Sequence, residues 1–392
     1  MIKNSANLWF IILLVGLFSC AQDNGDTSDQ DEVGREEAYW EDYETPSMLW
    51  GWINRENRLV IPAEYDDARD FSEGLAAVNY KGKWGYVDTL GNRVIPPRFA
   101  EARSFHEGFA AVKNFEGKMA FIDRTGHPIT DFSYLGLRSF LHGRAPAKLE
   151  SGWGYLNSSG KLVVPARYSA VWPFHTKKIA RVKLGEKYKF IHRDGTVLKG
   201  PQREKITPFS GGYYRYSAGG KWGVLDTFGQ VIVAAAYDHI TPSEKGIYVL
   251  EKGGDYSLFP GKHPLSVPAN TSQVKYVGEG RLRFYEGDSV GLLDTLGNLI
   301  VGPSFTQINL FSDGLALCDR SEEAWNWLKP DGSRLTPIDF PLAWDFYEGT
   351  ARMITQEGIG VIDTLGRVLI PPSFYELRDF KGGLARVQLA RE

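Results

Sequence analysis

The stretch from Trp84 to Val112 decides the fold. It reads Trp84-Gly-Tyr-Val-Asp-Thr-Leu-Gly-Asn-Arg-Val-Ile-Pro-Pro-Arg-Phe99 and, five residues later, Phe105-His-Glu-Gly-Phe-Ala-Ala-Val112. Aromatic and β-branched residues predict strands at 84–88, 93–95 and 109–112. Between the first two strands, Asp88 and Gly91 predict a reverse turn, since Asp accepts backbone N–H bonds and Gly adopts positive φ. We expect the Pro-Pro pair to end the second strand and an irregular segment to precede residue 109.

This pattern recurs ten times, at steps of 34 or 35 residues. The ten units begin at Trp50, Trp84, Met119, Trp153, Tyr188, Trp222, Tyr256, Val290, Trp325 and Ile359. Eight units carry an aromatic residue 15 positions after the start, and eight carry Phe 21 positions after it. Positions that stay in phase over ten periods predict a tandem-repeat protein rather than two or three separate domains.

Grouped by adjacency, each unit is predicted to be a three-stranded antiparallel meander, such as residues 75–78, 84–88 and 93–95. A unit buries roughly eight apolar side chains at ~1.5–3 kcal/mol each, against ~1–2 kcal/mol of backbone entropy for every residue. It cannot fold alone, so the units must stack. The sequence therefore predicts one all-β domain of ten units over residues 46–392.

Two global arrangements remain open, and we favour a propeller-like closed ring over an open β-superhelix or solenoid arc. The first strand, at 50–54, has no preceding strand to pair with. The last strand, at 384–387, has no following one. Pairing them would remove two free edges, which otherwise invite aggregation.

The units resemble the WG-repeat (KWG repeat) family of bacterial proteins. The residues that carry this resemblance are Lys83-Trp84-Gly85-Tyr86-Val87-Asp88, Lys221-Trp222-Gly223-Val224-Leu225-Asp226 and Phe71-Ser72-Glu73-Gly74-Leu75-Ala76-Ala77-Val78. It extends from Trp50 to the C-terminus. Units five and seven depart most, with Tyr188-Lys189 and Tyr256-Ser257 in place of Trp-Gly. The family is defined by its repeat, so the resemblance implies no activity and no catalytic residues.

The N-terminus predicts export. Lys3 precedes an apolar run at 8–18, which is shorter than the roughly 20 residues that span a bilayer, so residues 1–19 are interpreted as a signal peptide. Leu17-Phe18-Ser19-Cys20 resembles a bacterial lipobox, which implies that Cys20 is lipidated and begins the mature chain. A plain signal peptide with a chance Cys is the alternative. Residues 20–45 are predicted to form a disordered tether, because ten acids and one base lie between 23 and 44.

Charge argues against a nucleic-acid partner. Without the tether and Lys3, residues 45–392 carry a net charge of +5. That excess is too small for a surface that neutralises many phosphates. We expect a monomer that touches the membrane only through its N-terminal lipid, in the outer membrane or at the cell surface.

The repeated Asp residues of the hairpin turns are the strongest candidates for a metal site. Asp88, Asp123, Asp226, Asp294 and Asp363 share one position of the repeat. The same position holds Asn54, Asn157, His192 and Lys329, so we expect turn capping and no metal. His106 and His175 also share a phase, but no HxxxH or CxxC spacing supports a ligand pair. Both are predicted to be solvated loop residues.

No pattern predicts catalysis or a cofactor. The sequence contains no GxSxG elbow and no phosphate-binding glycine loop. Cys318 falls at a core position, and the repeated Trp and Phe are predicted to be core. Aromatic residues outside the phase are the better candidates for ligand contact: Trp172, Tyr214, Tyr216, Trp327 and Trp344.

Together these features predict a cell-envelope lipoprotein, not an enzyme, whose repeat domain is a binding or scaffold surface for a protein or polysaccharide. Two alternatives remain: an enzyme or enzyme subunit acting on envelope glycan or peptide, and a purely structural envelope component.

Overall fold

The computed structural model describes residues 48–174, 178–185, 187–198, 205–208, 213–226, 229–241, 247–259, 264–321 and 324–390. These residues form antiparallel β-strands and no α-helix, which confirms the all-β prediction. None of them belongs to a helix long and apolar enough to cross a membrane. Cys20, the signal peptide and the acidic tether lie outside the described residues, so those assignments remain predictions.

Within the described ranges, thirty-five strands form ten small sheets, one for each repeat. In the order of the repeats, sheet 1 contains β1 (Met48–Asn54), β2 (Leu59–Tyr65) and β35 (Leu384–Ala390); sheet 2 contains β3 (Asp67–Ala68), β4 (Leu75–Tyr80), β5 (Lys83–Asp88) and β6 (Arg93–Phe99); sheet 3 contains β7 (Glu101–Ala102), β8 (Ala110–Lys113) and β9 (Met119–Ile122); sheet 4 contains β10 (Gly136–Leu137), β11 (Arg144–Leu149), β12 (Gly152–Asn157) and β13 (Leu162–Tyr168); sheet 5 contains β14 (Ala170–Val171), β15 (Ile179–Leu184) and β16 (Lys187–His192); sheet 6 contains β17 (Lys205–Pro208), β18 (Tyr214–Ala218), β19 (Lys221–Leu225) and β20 (Val231–Tyr237); sheet 7 contains β21 (His239–Thr241), β22 (Tyr248–Lys252) and β23 (Asp255–Phe259); sheet 8 contains β24 (Gln273–Gly278), β25 (Arg281–Glu286), β26 (Ser289–Asp294) and β27 (Leu299–Phe305); sheet 9 contains β28 (Gln307–Ser312), β29 (Leu315–Asp319) and β30 (Trp325–Leu328); and sheet 10 contains β31 (Leu342–Ala343), β32 (Thr350–Thr355), β33 (Gly358–Asp363) and β34 (Val368–Phe374).

The prediction of three strands in every unit is wrong for half of the sheets, because five contain four. An inner strand that we did not predict comes first in sheets 2 to 10, as β3 does in sheet 2; among the described residues, sheets 3, 5, 7 and 9 still have three strands because they lack the outer one. The inner strand lies in the segment that we expected to be irregular. Two consecutive residues are enough to pair with the next strand, as Ala68 does with Val78. A run this short carries little period-2 pattern, so sequence alone does not reveal it.

The core is divided into ten hydrophobic clusters, each shared by two consecutive sheets. Between sheets 2 and 3, for example, Trp84 and Tyr86 pack with Phe105 and Val112. Trp84 is 7% exposed, which confirms it as a core residue. The phased Phe residues in the described part are also buried, as predicted. The core thus forms between neighbouring sheets, which explains why a single repeat cannot fold.

The first and last strands pair with each other, as predicted. β35 runs antiparallel to β1, with Ala390 opposite Met48 and Leu384 opposite Asn54. The tenth hydrophobic cluster lies at this junction and joins Ile359 and Phe374 of sheet 10 to Ile53 and Val387 of sheet 1. We call the β1–β35 pairing the seam.

The sheets are of two kinds. In sheets 1, 2, 4, 6, 8 and 10 an outer strand continues through a bulge. In sheet 2, Trp84 lies opposite Phe99 but Tyr86 lies opposite Ile95, so the outer strand has two extra residues in that interval. In the described part of sheets 3, 5, 7 and 9, isolated bridges take the place of an outer strand. The prediction that Pro96-Pro97 ends the strand is therefore wrong: an outermost strand has one free edge, where a missing N–H costs no hydrogen bond.

The glycine of the Trp-Gly pair explains the difference. A Cβ on Gly85 would lie 2.4 Å from the Ile95 carbonyl oxygen and 2.7 Å from the Pro97 nitrogen. The bulge therefore lies directly on this glycine. The close approach that the glycine allows is within its own hairpin and not between neighbouring units. The four sheets without the bulge carry Ala120, Lys189, Ser257 and Asn326 at this position.

Candidate functional site

The turn acids cap hairpins, as predicted. One carboxylate oxygen of Asp88 accepts the backbone N–H groups of Leu90 and Asn92 at 2.9 and 2.8 Å, and the other accepts the Asn92 amide. Donation from that amide, followed by the backbone N–H bonds, lowers the pKa of Asp88. Where the repeat has His192 or Lys329 instead, an acid two residues later caps the turn: Asp194 binds Thr196, and Asp331 binds Ser333. In the described part of the chain, no three His, Cys, Asp or Glu side chains are grouped as metal ligands.

The Glu of the Phe-x-Glu-Gly motif links one sheet to the next, a role that we did not predict. The two carboxylate oxygens of Glu73 accept the N–H groups of Glu107 and Gly108, at 2.6 and 2.9 Å. Glu107 in turn accepts those of His142 and Gly143. Glu73 and Glu107 have positive φ, which non-glycine residues rarely adopt. These inter-sheet bonds hold that conformation in place.

Arginines form a second inter-sheet link, near the short inner strands. In each case the guanidinium donates to a backbone carbonyl of the next sheet. The acceptor occupies the same repeat position every time, in the segment of the short inner strand. These bonds join Arg69 to Ala102, Arg103 to Leu137, Arg138 to Val171, Arg215 to Ile240, Arg283 to Ile308, Arg352 to Leu377 and Arg386 to Ala68. The bond from Arg386 crosses the seam. Several of these guanidinium groups also lie over a Trp ring, as Arg69 does over Trp84.

A polar cleft of about 410 Å³ lies beside the seam. Its walls come from three consecutive sheets, numbers 1, 2 and 3. Lys381, Ser72 and His106 occupy the same position of the repeat, next to the phased Phe. Arg386, Arg69, Asp67, Asp70 and Ser104 complete the polar lining. We call this the seam cleft, because the β1–β35 pairing brings Lys381 and Arg386, which are near the C-terminus, next to the other lining residues.

Salt bridges neutralise one carboxylate of the seam cleft. Asp70 lies 2.6 Å from Nε of Arg386 and 3.9 Å from Nζ of Lys381. Asp67 accepts the N–H of Ala68. Arg69 has no carboxylate partner among the described residues; its Nε donates to the Ala102 carbonyl at 2.9 Å. The cleft thus presents hydrogen-bond donors and a small excess of positive charge.

None of the five predicted contact aromatics lines this cleft. Tyr214, Tyr216 and Trp327 are buried, so their prediction as ligand contacts is wrong. They pack in the clusters between sheets, where a ring can fill the core without being in phase. Trp172 and Trp344 are half-buried, and each lies under an arginine.

The single-residue predictions have mixed outcomes. Cys318 is buried, as predicted, and burial raises the pKa of its thiol to about 12, which makes it unreactive. His106 is an exposed residue of the seam cleft. Its proposed companion, His175, lies outside the described residues. Sequence reasoning missed Arg69, Ser104 and Lys381. Only Lys381 has a sequence signal: it is a cation at the repeat position that holds Ser72 and His106 in the first two repeats.

The strands, their phase and the inter-sheet bonds define an all-β tandem-repeat protein. The chain belongs to the WG-repeat family: the family model described as "WG containing repeat" matches residues 50–84, 84–118, 153–188, 190–222, 222–256, 291–317 and 359–390. No curated protein matches the chain in sequence.

Solved structures resemble the chain only weakly. A eukaryotic initiation factor is 11% identical, with 81% of this chain and 98% of that chain covered at a TM-score of 0.47. The designed protein Ika8 is 13% identical, with 75% and 94% covered at 0.34. BamB from Moraxella catarrhalis is 9% identical, with 86% and 95% covered at 0.31. These TM-scores are all below 0.5, too low for an argument about function.

Proposed function

We propose that this chain is a cell-envelope lipoprotein whose ten β-sheets form a binding and scaffold surface for an envelope protein or polysaccharide. The observation that carries the proposal is the seam cleft. It collects polar side chains from three consecutive sheets, and inter-sheet bonds made by Arg69 and Arg386 of the cleft itself hold these side chains in place. The cleft is suited to binding a ligand without a catalysed reaction, because its residues include no nucleophile paired with a base.

The proposal includes a propeller-like closed ring. An open row of ten sheets has nine interfaces, whereas ten interfacial clusters are present, and the tenth joins sheet 10 to sheet 1. The β1–β35 ladder supports the same arrangement. Ten blades exceed the usual 4–8 of propellers, which implies a wider centre. A closed ring also keeps the cleft residues of sheets 1, 2 and 3 in fixed relation.

In this proposal the tether and the cleft are at opposite ends of β1. The tether joins β1 at Met48, which is the Ala390 end of the seam. Lys381 bonds to Leu384, which lies opposite Asn54 at the other end of β1. Six residues of strand separate the two ends by about 20 Å. In this proposal the cleft therefore lies about 20 Å from the point where the tether enters the domain.

A capture experiment tests the binding role. Residues 23–392 are immobilised and exposed to envelope extract, in parallel with the variants Lys381→Glu and Arg103→Gln. Arg103 occupies the position of Arg69 one sheet further on but does not line the cleft. We expect a protein or polysaccharide that the wild type and Arg103→Gln retain and Lys381→Glu loses. Equal retention by all three, or no retained material, would contradict the proposal.

Anchoring is tested separately. We expect Cys20→Ser to leave the protein uncleaved or released from the membrane fraction, because the lipobox-like run is the attachment site in this proposal. Membrane fractionation and mass spectrometry of the N-terminus measure this. Unchanged fractionation together with an unchanged N-terminal mass would rule out the lipid.

A further inference from the structure

We infer that the seam cleft binds an oxyanion, the carboxylate or phosphate group of its ligand, through Arg69 and Lys381. This inference rests on the proposed binding function and deepens it by naming the ligand chemistry. It is argued from the donors of the cleft, from its charge and from a neighbouring site that lacks the same features.

Several donors of the cleft have no acceptor among the described residues. Of the five N–H groups of Arg69, the one on Nε donates to the Ala102 carbonyl. The four on Nη1 and Nη2 have no acceptor in the described part of the chain. Neither the hydroxyl of Ser104 nor the ring of His106 has a hydrogen-bond partner there. A planar guanidinium with free terminal N–H groups fits a carboxylate or phosphate in a bidentate manner.

The charges of the cleft also favour an anion. Arg69, Arg386 and Lys381 face the two carboxylates of Asp67 and Asp70, which leaves one positive charge in excess. Asp70 is already bound to Arg386, whose side chain is only 15% exposed. The Lys381 side chain is 42% exposed and its Nζ lies 3.9 Å from Asp70, so it is accessible for a further partner. A bound anion would neutralise this excess positive charge.

The equivalent position in the next sheet shows a guanidinium that is paired with a carboxylate. Arg103 donates to the Leu137 carbonyl, as Arg69 does to Ala102. Its Nε, however, lies 3.5 Å from Glu101, which also binds Lys113 at 2.6 Å. The Glu101 carboxylate thus pairs with the arginine there. Among the described residues no carboxylate lies within 4 Å of Arg69, although its charge, after the Lys113 bond, helps to lower the pKa of Glu101 and its inter-sheet bond is the same.

The size of the cleft limits the ligand. A volume of about 410 Å³ is at the low end of small-molecule sites. It accommodates one or two residues of an acidic sugar or a single phosphate-bearing group. The cleft lies at the surface, so the remainder of a longer polymer can extend from it.

Isothermal titration of residues 23–392 tests the inference. The probes are inorganic phosphate, digalacturonate and, as the uncharged control, cellobiose. We expect phosphate, digalacturonate or both to bind, with a Kd that rises at least about tenfold in Lys381→Gln and Arg69→Gln, since a hydrogen bond to a charged group is worth that much or more. Binding should weaken as salt is added. Phosphate binding alone would identify a phosphate ligand, and digalacturonate binding alone an acidic sugar.

Arg103→Gln is the matched control, because it removes the same type of inter-sheet bond without touching the cleft. It should bind the probes as the wild type does. If Arg69→Gln does not fold, Lys381→Gln still decides, since Lys381 makes no inter-sheet hydrogen bond to a carbonyl. The inference is overturned if neither anion binds, if all variants bind equally or if cellobiose binds as well as the anions. Capture of an envelope partner without any anion binding would overturn this inference and leave the proposed function standing.

Discussion

Sheets 2 and 3 are neighbours with the same period, yet their hairpins differ. In sheet 2, Gly85 accepts a bulged outer strand against its backbone. In sheet 3, Ala120 occupies that position, and the outer segment is reduced to bridges at Tyr134 and Pro128. A methyl group is enough to exclude the bulge. The presence or absence of a Cβ atom at this position of the middle strand therefore decides whether the sheet has a regular outer strand.

The largest expected effect is on the Trp of the pair. Trp84→Ala should lower the free energy of unfolding by about 3–5 kcal/mol, the usual loss on deletion of a buried aromatic ring. Trp325, in a sheet without the bulge, is half-buried. Trp325→Ala should therefore cost less. Trp153 and Trp222 are also half-buried although their sheets have the bulge, so burial and not the bulge is the basis of this expectation. Urea denaturation of both variants measures the difference, and equal losses would show that the burial of the ring does not set its contribution.

Gly85→Ala tests the bulge directly. The new Cβ would meet backbone atoms at 2.4–2.9 Å, so we expect a loss of about 1–3 kcal/mol. The matched control is Ala120→Gly in sheet 3. It should cost only about 0.5–1 kcal/mol, which is the entropic penalty of glycine in a strand. The interpretation fails if the two substitutions destabilise the protein equally by thermal or urea denaturation.

Acid should weaken the hairpin turns of both kinds of sheet. The pKa of Asp88 and that of Asp331 are lowered by the hydrogen bonds they accept, first from the side chains of Asn92 and Ser333. A lowered pKa in the folded state contributes stability above the ordinary pKa of about 3.9, and that contribution is lost as pH falls through the folded value.

The Asp88→Asn and Asp331→Asn variants isolate this contribution. Each should be less stable than the wild type at pH 6, and the gap should narrow below about pH 4. Urea midpoints at several pH values measure it. A gap that is constant with pH would mean that the turn carboxylates act only as uncharged acceptors.

The smallest expected effect is that of a chelator. Backbone and side-chain donors already occupy the turn carboxylates in both kinds of sheet. EDTA should therefore leave the melting temperature unchanged. A decrease of several degrees, reversed by Ca²⁺, would show that a cation contributes to the turns.

Much of the fold was predictable because its causes are local. Asp88 and Gly91 lie in one turn, and the period places Phe71 and Phe105 at equivalent core positions. The residue that separates the two kinds of sheet is also present in the sequence, as Gly85 against Ala120, but the repeat pattern did not predict its effect. Without coordinates, a glycine beside a Trp does not reveal which backbone approaches it.

The candidate site was not predictable in the same way. Arg69, Lys381 and His106 come from three sheets, and more than 300 residues of sequence separate Lys381 from Arg69. The seam brings them together through β1 and β35. Nothing in the repeat pattern distinguishes an arginine bound to a carboxylate, such as Arg103, from one with free donors.

The sequence by itself determined the all-β class, the ten-fold period, the hairpin turns and the core positions of the repeat. These depend on side-chain size, alternation and turn chemistry within about 35 residues. Tertiary structure alone decided the short inner strands, the bulges, the inter-sheet bonds of Glu73 and the arginines, and the seam cleft. Those features depend on contacts between separate repeats, or on how closely two backbones approach, and neither quantity is encoded in the pattern of any single repeat.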